Sequence, residues 1–156
     1  MRLGKEDHKN MHVDSMNQMD AVQNEIIDDF KLLEDPFDQY AYLLKLSSFL
    51  PVMPQEERDQ CREVEGCQSH VWLKTWSENS LFYMDAESDT MIIRGLLYLI
   101  KKVVTAQPLS DVSVCELYFL TESGLVASLD ADRRKGIGFI VKEIKARAGG
   151  LLEQQC

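Results

Sequence analysis

The apolar periodicity of this chain changes twice, and these changes predict its fold class. From Met19 to residue 50, apolar residues recur every three or four positions, as they do in amphipathic helices. From Val71 to Asp85 the residues alternate between two faces around a turn at Glu78-Asn79-Ser80, which is typical of two paired strands. Beyond Ser88 the helical spacing returns. We therefore predict an α+β fold, with a small antiparallel three-stranded sheet packed against several helices.

The first two predicted helices are joined by a proline turn. The first begins at Met19 and stops at Asp35-Pro36, and the second ends at Leu50-Pro51. Two helices with so short a connection form an αα-hairpin. Four apolar residues of the second helix share one face: Phe37, Tyr40, Ala41 and Leu44.

The third strand is predicted over Arg62–Glu65, directly before Gly66-Cys67, so that the cysteine lies at a bend of the sheet. Ser88 is expected to cap the helix that follows the sheet, because a serine side chain can accept a hydrogen bond from the first helical turn. Asp132 is expected to cap the last helix for the same reason.

The length and charge of the chain narrow the class of protein. We assign residues 19–156 to a single domain and residues 1–18, which lack apolar periodicity, to a flexible tail. With 17 basic and 26 acidic residues the net charge is −9, which argues against nucleic acid or an anionic membrane as partner. Neither a membrane span nor a signal peptide is visible, so we predict a cytoplasmic protein.

The four cysteines are widely spaced, at Cys61, Cys67, Cys115 and Cys156. They form no CxxC pair and have no group of histidines nearby, so reduced thiols are a better interpretation than zinc ligands or disulfides. We therefore predict neither a metal site nor a bound cofactor.

Cys67 is the candidate site for chemistry, because Gly66 before it allows a turn that places the thiol at a tip. His70 is the only neighbouring group that could activate it, which favours an acceptor or relay thiol over a self-activated nucleophile. Two alternatives remain open. Cys67 could be a small buried core residue, or it could form a redox pair with Cys61.

The basic cluster Arg133-Arg134-Lys135 lies at the start of the last predicted helix. Positive charge in a first turn opposes the helix dipole. Residues that work against local stability are often held in place by a site. The cluster could therefore lie near the cysteine loop.

Three segments in order resemble the SufE family, the sulfur acceptors that work with cysteine desulfurases in iron–sulfur cluster assembly. The first is Gly66-Cys67-Gln68-Ser69-x-Val71-Trp72-Leu73. The second is Glu87-Ser88-Asp89-x-x-Ile92-Ile93-x-Gly95, where the family usually has Asp in place of Glu87. The third is Leu129-x-x-x-Arg133-x-x-Gly136. The resemblance extends over about residues 19–148.

The resemblance implies a SufE-like fold and a sulfur relay. A pyridoxal-phosphate cysteine desulfurase would hold sulfur from L-cysteine as a persulfide, and Cys67 would accept it and pass it to an iron–sulfur scaffold complex. The chain would stimulate the desulfurase without being an enzyme itself, as a monomer or weak homodimer. The residues implied to support the acceptor loop are Gly66, Gln68 and Ser69, and those implied to bind a partner or stabilise the loop are Arg133, His70, Glu87 and Asp89.

Three other functions compete with this one. The chain could belong to a paralogous branch of the family that serves a different desulfurase. It could be a thiol transferase or peroxidase in its own right, which would require an activated cysteine. It could also be a structural adaptor in which Cys67 only packs.

Overall fold

A computed structural model describes residues 18–155. Residues 1–17 of the predicted tail lie outside the described residues, and residue 18 already belongs to the first helix. In chain order the elements are α1 (18–31), α2 (Pro36–Ser47), α3 (Gln55–Gln60), β1 (Val71–Glu78), β2 (Leu81–Ser88), α4 (Met91–Val104), β3 (Gln107–Pro108), α5 (Leu109–Val114), α6 (Phe119–Glu122), a 3₁₀ turn (Val126–Ser128) and α7 (Ala131–Gln154).

The sheet is antiparallel with the order β1-β2-β3, which confirms the predicted α+β class. β1 and β2 form a hairpin in which Val71 lies opposite Ser88 and Glu78 lies opposite Leu81. The hairpin turns through Asn79 and Ser80, whose φ angles of 52° and 64° match the twist of paired strands.

The predicted third strand is wrong in its position. Arg62–Glu65 contributes only an isolated bridge, between Glu63 and Trp72. The third strand is Gln107–Pro108, which pairs with the start of β2. Only Val64 is buried in the run before Gly66, so that run has no apolar face with which to extend the sheet.

Helix α4 is the centre of the core, because it packs against both β2 and α2. Gly95 permits a close approach of α2, since a Cβ atom there would lie 2.3 Å from the carbonyl oxygen of Leu43. The largest fully buried side chains of the core include Phe30, Leu73, Phe82, Met84, Ile92, Leu96, Leu97, Ile100 and Phe119.

The predicted apolar face of α2 is exposed. Phe37 is 74% exposed, Tyr40 42% and Leu44 36%. Leu43 and Leu46, on the other side of the helix, are buried. Both sides of α2 carry apolar residues, and the core takes the side that meets α4.

Two predicted helix caps are displaced by two residues along the chain. β2 continues to Ser88, so the N-cap of α4 is Thr90. The N-cap of α7 is Asp130, whose carboxylate accepts a hydrogen bond of 2.9 Å from the backbone N–H of Arg133. Within residues 18–155, no helix combines the length and the apolar character that crossing a membrane requires.

Candidate functional site

Cys67 lies in the turn that leads into β1, and Gly66 shapes that turn. The φ angle of Gly66 is +90°, a left-handed conformation that is strained for residues with a side chain. A Cβ atom at Gly66 would also lie 2.7 Å from the ring of Phe139 on α7. Backbone conformation and packing therefore both require glycine directly before the cysteine.

The side chain of Cys67 is half-buried against α7. Its Sγ lies 3.4 Å from the carbonyl oxygen of Gly136, to which the thiol donates a weak hydrogen bond. A Cβ atom at residue 136 would lie 3.6 Å from Sγ, an ordinary van der Waals distance, so the thiol lies directly against the backbone of α7. The tip of the turn is thus folded against the helix.

Burial raises the pKa of the Cys67 thiol above its ordinary value. Removal from water disfavours the charged thiolate, and a carbonyl oxygen can accept a hydrogen bond only from the protonated form. Cys67 is therefore held as a thiol at neutral pH. Since the thiolate is the nucleophile, this resting arrangement is a weakly reactive one.

A pocket of about 250 Å³ lies beside Cys67. It is formed by the cysteine turn, the start of α4 and the start of α7. Among the site residues predicted from the sequence, it brings together Cys67, Gln68, Ser69, Asp89 and Arg133. The basic cluster at the start of α7 thus reaches the cysteine pocket through Arg133.

Two contacts attach the end of the turn to the start of α4. The hydroxyl groups of Ser69 and Thr90 are 2.6 Å apart. The backbone N–H of His70 donates a hydrogen bond of 3.0 Å to the carboxylate of Asp89. The hydroxyl of Thr90 makes no capping hydrogen bond to its own helix. It is therefore available to hold the turn.

A third contact joins the turn to α7, where the amide of Gln68 donates a hydrogen bond of 3.2 Å to the carboxylate of Asp132. Both side chains are exposed, so this contact is easily exchanged for water. The turn is thus firmly attached at its end and weakly at its tip.

Sequence reasoning did not single out Thr90, Gly136 or Phe139. Gly136 belongs to the third segment that resembles the SufE family. Its contact with Cys67 joins residues that are far apart in the sequence, so a local pattern cannot reveal it. Thr90 directly follows Asp89, and the only signal it offered was its position before an apolar helix.

His70 lies outside the residues that line the pocket. Its Nδ1 is 2.9 Å from the carboxylate of Glu63, and its ring stacks on Trp72 with the ring centroids 5.8 Å apart. The hydrogen bond to Glu63 raises the pKa of the imidazole. His70 is therefore paired with a carboxylate, and the structure does not place it as a base for Cys67.

Glu87 lies in the interior, away from the pocket lining. Its carboxylate forms a buried ion pair with Arg94 and accepts hydrogen bonds of 3.1 Å and 2.9 Å from the backbone N–H groups of Met53 and Ser88. Arg94 in turn donates a hydrogen bond of 2.6 Å to the carbonyl oxygen of Leu50. Glu87 thus joins the segment after α2 to β2 and α4.

The other described cysteines, Cys61 and Cys115, are free. Cys115 is buried, and Cys61 lies 3.9 Å from the sulfur of Met53. Burial is the main cause that raises the pKa of each thiol. Residues 18–155 contain no cluster of His, Cys, Asp and Glu that could hold a metal ion.

The raised pKa of Cys67 leads to a pH prediction. In the free protein, alkylation of Cys67 by iodoacetamide is expected to be slow at pH 7 and to rise about tenfold per pH unit until the pH passes the folded-state pKa. In the chain unfolded by guanidinium, the same cysteine should titrate near the ordinary value of about 8.5. Peptide mass mapping of the alkylated protein would measure both curves. A folded-state pKa at or below the unfolded one would contradict the burial argument.

Comparisons with known proteins agree with the geometry. Residues 24–148 match the family model of the SufE Fe-S metabolism associated domain. An uncharacterized SufE-like protein of Rhizobium etli is 33% identical over 133 residues, which cover 82% of this chain and 90% of the relative. The sulfur acceptor protein CsdE of Escherichia coli is 32% identical over 111 residues, which cover 70% of this chain and 76% of the relative.

A solved structure supports the fold. The solution structure of a hypothetical protein from Thermus thermophilus matches with a TM-score of 0.70 at 15% sequence identity, covering 85% of this chain and 96% of that one. The family match spans both the cysteine turn and the start of α7 that packs on it. This chain therefore belongs to the SufE family.

Proposed function

We propose that this chain is a sulfur acceptor and carrier. It takes persulfide sulfur from a pyridoxal-phosphate-dependent cysteine desulfurase onto Cys67, stimulates that enzyme, and passes the sulfur to an iron–sulfur scaffold complex. The observation that carries the proposal is the position of Cys67 at the tip of a glycine turn, beside a pocket of about 250 Å³. Membership of the family and similarity to a protein named as a sulfur acceptor support it.

The proposed transfer is a thiol exchange without net oxidation. The Cys67 thiolate attacks the outer sulfur of the desulfurase persulfide. A new S–S bond forms at Cys67 while the S–S bond on the desulfurase breaks. The desulfurase cysteine leaves as a thiolate, and the proton lost from Cys67 goes to solvent.

Docking has to activate Cys67, because the resting side chain is a half-buried thiol held at Gly136. The tip of the turn has only weak contacts, through Cys67 and Gln68, whereas Ser69 and His70 are attached to α4. We propose that the partner draws Cys67 away from α7 into water, where its pKa returns towards the ordinary range. Arg133, on the pocket wall, then offers a positive charge near the new thiolate.

The proposal is tested by mapping the sulfur. The chain is incubated with a purified cysteine desulfurase from the same organism, L-cysteine and pyridoxal phosphate, and its peptides are then analysed by mass spectrometry without reductant. A gain of about 32 Da, one sulfur atom, is expected on the Cys67 peptide. A gain on another cysteine, or on none with every desulfurase of that organism, would refute the proposed role.

The same experiment identifies the partner. Comparing the desulfurases one at a time shows which one the chain serves, including the paralogous branch of the family.

The free thiols at Cys61, Cys67 and Cys115 suit a reducing compartment, so we propose a cytoplasmic location. Sedimentation analysis of the purified chain would test whether it is the monomer or weak homodimer that we propose.

A further inference from the structure

Helix α7 concentrates positive charge in an acidic chain. It carries six of the 17 basic residues but only three of the 26 acidic ones, although the whole chain has a net charge of −9. Helix α7 itself therefore carries a net positive charge, whereas the chain as a whole is acidic. A surface of mixed sign orients an approaching charged partner.

One face of α7 lies directly beside the cysteine turn. Lys135, Phe139 and Lys142 follow the helical spacing that places side chains on one face, and we call these three residues the α7 face. Phe139 packs behind Gly66, and Lys142 lines a cavity of about 540 Å³ together with Gly66 and Phe139. The carboxylates that line the same cavity each pair with a basic side chain of this chain: Glu63 with His70, Glu65 with Arg62 and Glu143 with Arg147. Lys135 directly precedes Gly136, which contacts Cys67.

The two lysines of the α7 face are exposed and have no ion-pair partner among residues 18–155. Two of the four other basic residues of α7 differ in this respect. Arg133 lies 3.8 Å from the carboxylate of Asp130, and Arg147 lies 2.9 Å from that of Glu143. Lys135 also lies near the positive end of the helix dipole, where a cation is unfavourable. Its position is therefore not explained by contacts within the described fold.

We propose that the α7 face is the docking surface for the cysteine desulfurase, and that the partner presents acidic side chains around an apolar centre next to its persulfide cysteine. This inference rests on the proposed function, since it names the chemistry of that partner's surface. Phe139 supplies the apolar centre, and the two lysines pair with carboxylates on either side. The acidic remainder of the chain repels the same partner surface, which leaves one favourable orientation with Cys67 facing the persulfide.

The test compares charge reversal at this face with an equal change elsewhere. The variants are Lys135→Glu with Lys142→Glu, the charge-conserving Lys135→Arg with Lys142→Arg, and the control Lys31→Glu. Lys31 is exposed at the end of α1 and lines neither cavity. Single-turnover transfer from the persulfide-loaded desulfurase to Cys67 is measured against chain concentration at low and moderate salt.

Charge reversal is expected to raise the half-saturating concentration about tenfold and to leave the limiting transfer rate within about twofold. Added salt should weaken the wild type and the arginine variant but affect the reversed variant little. Alkylation of Cys67 by iodoacetamide, a neutral reagent that needs no partner, should be equal within about twofold in all variants. An effect no larger than that of Lys31→Glu, or tighter docking after reversal, overturns the inference.

The two proposals fail in different ways. If the wild type receives no persulfide on Cys67 from any desulfurase, the proposed function is wrong. If the wild type is loaded normally but charge reversal leaves the half-saturating concentration unchanged, only the assignment of the α7 face is wrong.

Discussion

Replacing Cys67 with serine is expected to lower sulfur transfer from the desulfurase to the background that is measured when the chain is left out. The fold of the variant should stay intact. A serine hydroxyl is not ionised near neutral pH and cannot hold sulfur in an S–S bond. The exchange is also expected to abolish the stimulation of the desulfurase, because a serine at this position cannot take sulfur from its persulfide. The measurements are sulfide release from L-cysteine in the presence of a reductant and, in a separate reaction without reductant, the mass of the peptide that contains residue 67.

Cys61→Ser and Cys115→Ala serve as matched controls for this prediction. Cys61 contacts Met53, and Cys115 is buried in the core. Both variants should keep transfer within about twofold of the wild type, because neither side chain lines the pocket.

Stimulation that survives Cys67→Ser would point to a structural adaptor. Loss of transfer in Cys61→Ser would instead support a redox pair with Cys67. Turnover of small substrates by the isolated chain would favour a thiol enzyme.

The variant Glu87→Ala is expected to lower the stability of the fold strongly. The Glu87 side chain is 3% exposed, and its partner Arg94 is 11% exposed. Removal of the carboxylate leaves a buried guanidinium without its counter-charge and the N–H groups of Met53 and Ser88 without acceptors. We expect the free energy of unfolding to fall by roughly 3–5 kcal/mol, which is the usual effect of breaking a buried ion pair. Urea denaturation followed by circular dichroism measures it.

Asp85→Ala is the control, because Asp85 lies on the same strand and pairs with Lys101 of α4 at 3.1 Å. That pair is more exposed, so its loss should cost about 1 kcal/mol or less. If the two variants lose equal stability, Glu87 is not the buried anchor that the geometry indicates. Persulfide loading by inorganic polysulfide should persist in folded Glu87→Ala, since the carboxylate lies outside the pocket.

Local patterns predicted the main elements of this fold. The alternation from Val71 onward identified the hairpin, and helical spacing identified α4 and α7. The third strand could not be predicted in this way, because Gln107–Pro108 is two residues long and contains a proline. Such a segment has no alternation to detect, and tertiary contact alone makes it a strand.

The candidate site was predictable where its chemistry is local. Gly66 and Cys67 are neighbours in sequence, and the turn follows from that pair. The burial of Cys67 depends on Gly136, and the attachment of the turn depends on Thr90, which are contacts between distant segments. The burial of Glu87 could not be predicted from the sequence for a related reason. Charged residues are usually exposed, and only the folded chain shows that Arg94 makes its burial tolerable.

The close approach at Gly95 has a consequence for motion. At Gly95 the helices α2 and α4 meet through main-chain atoms, with no side chain at that point to absorb a displacement. They therefore form a rigid frame, and Thr90, the N-cap residue of α4, holds Ser69. If Cys67 moves towards a partner, the moving segment must therefore end at Ser69-His70. Only the few residues before Ser69 can move with the cysteine.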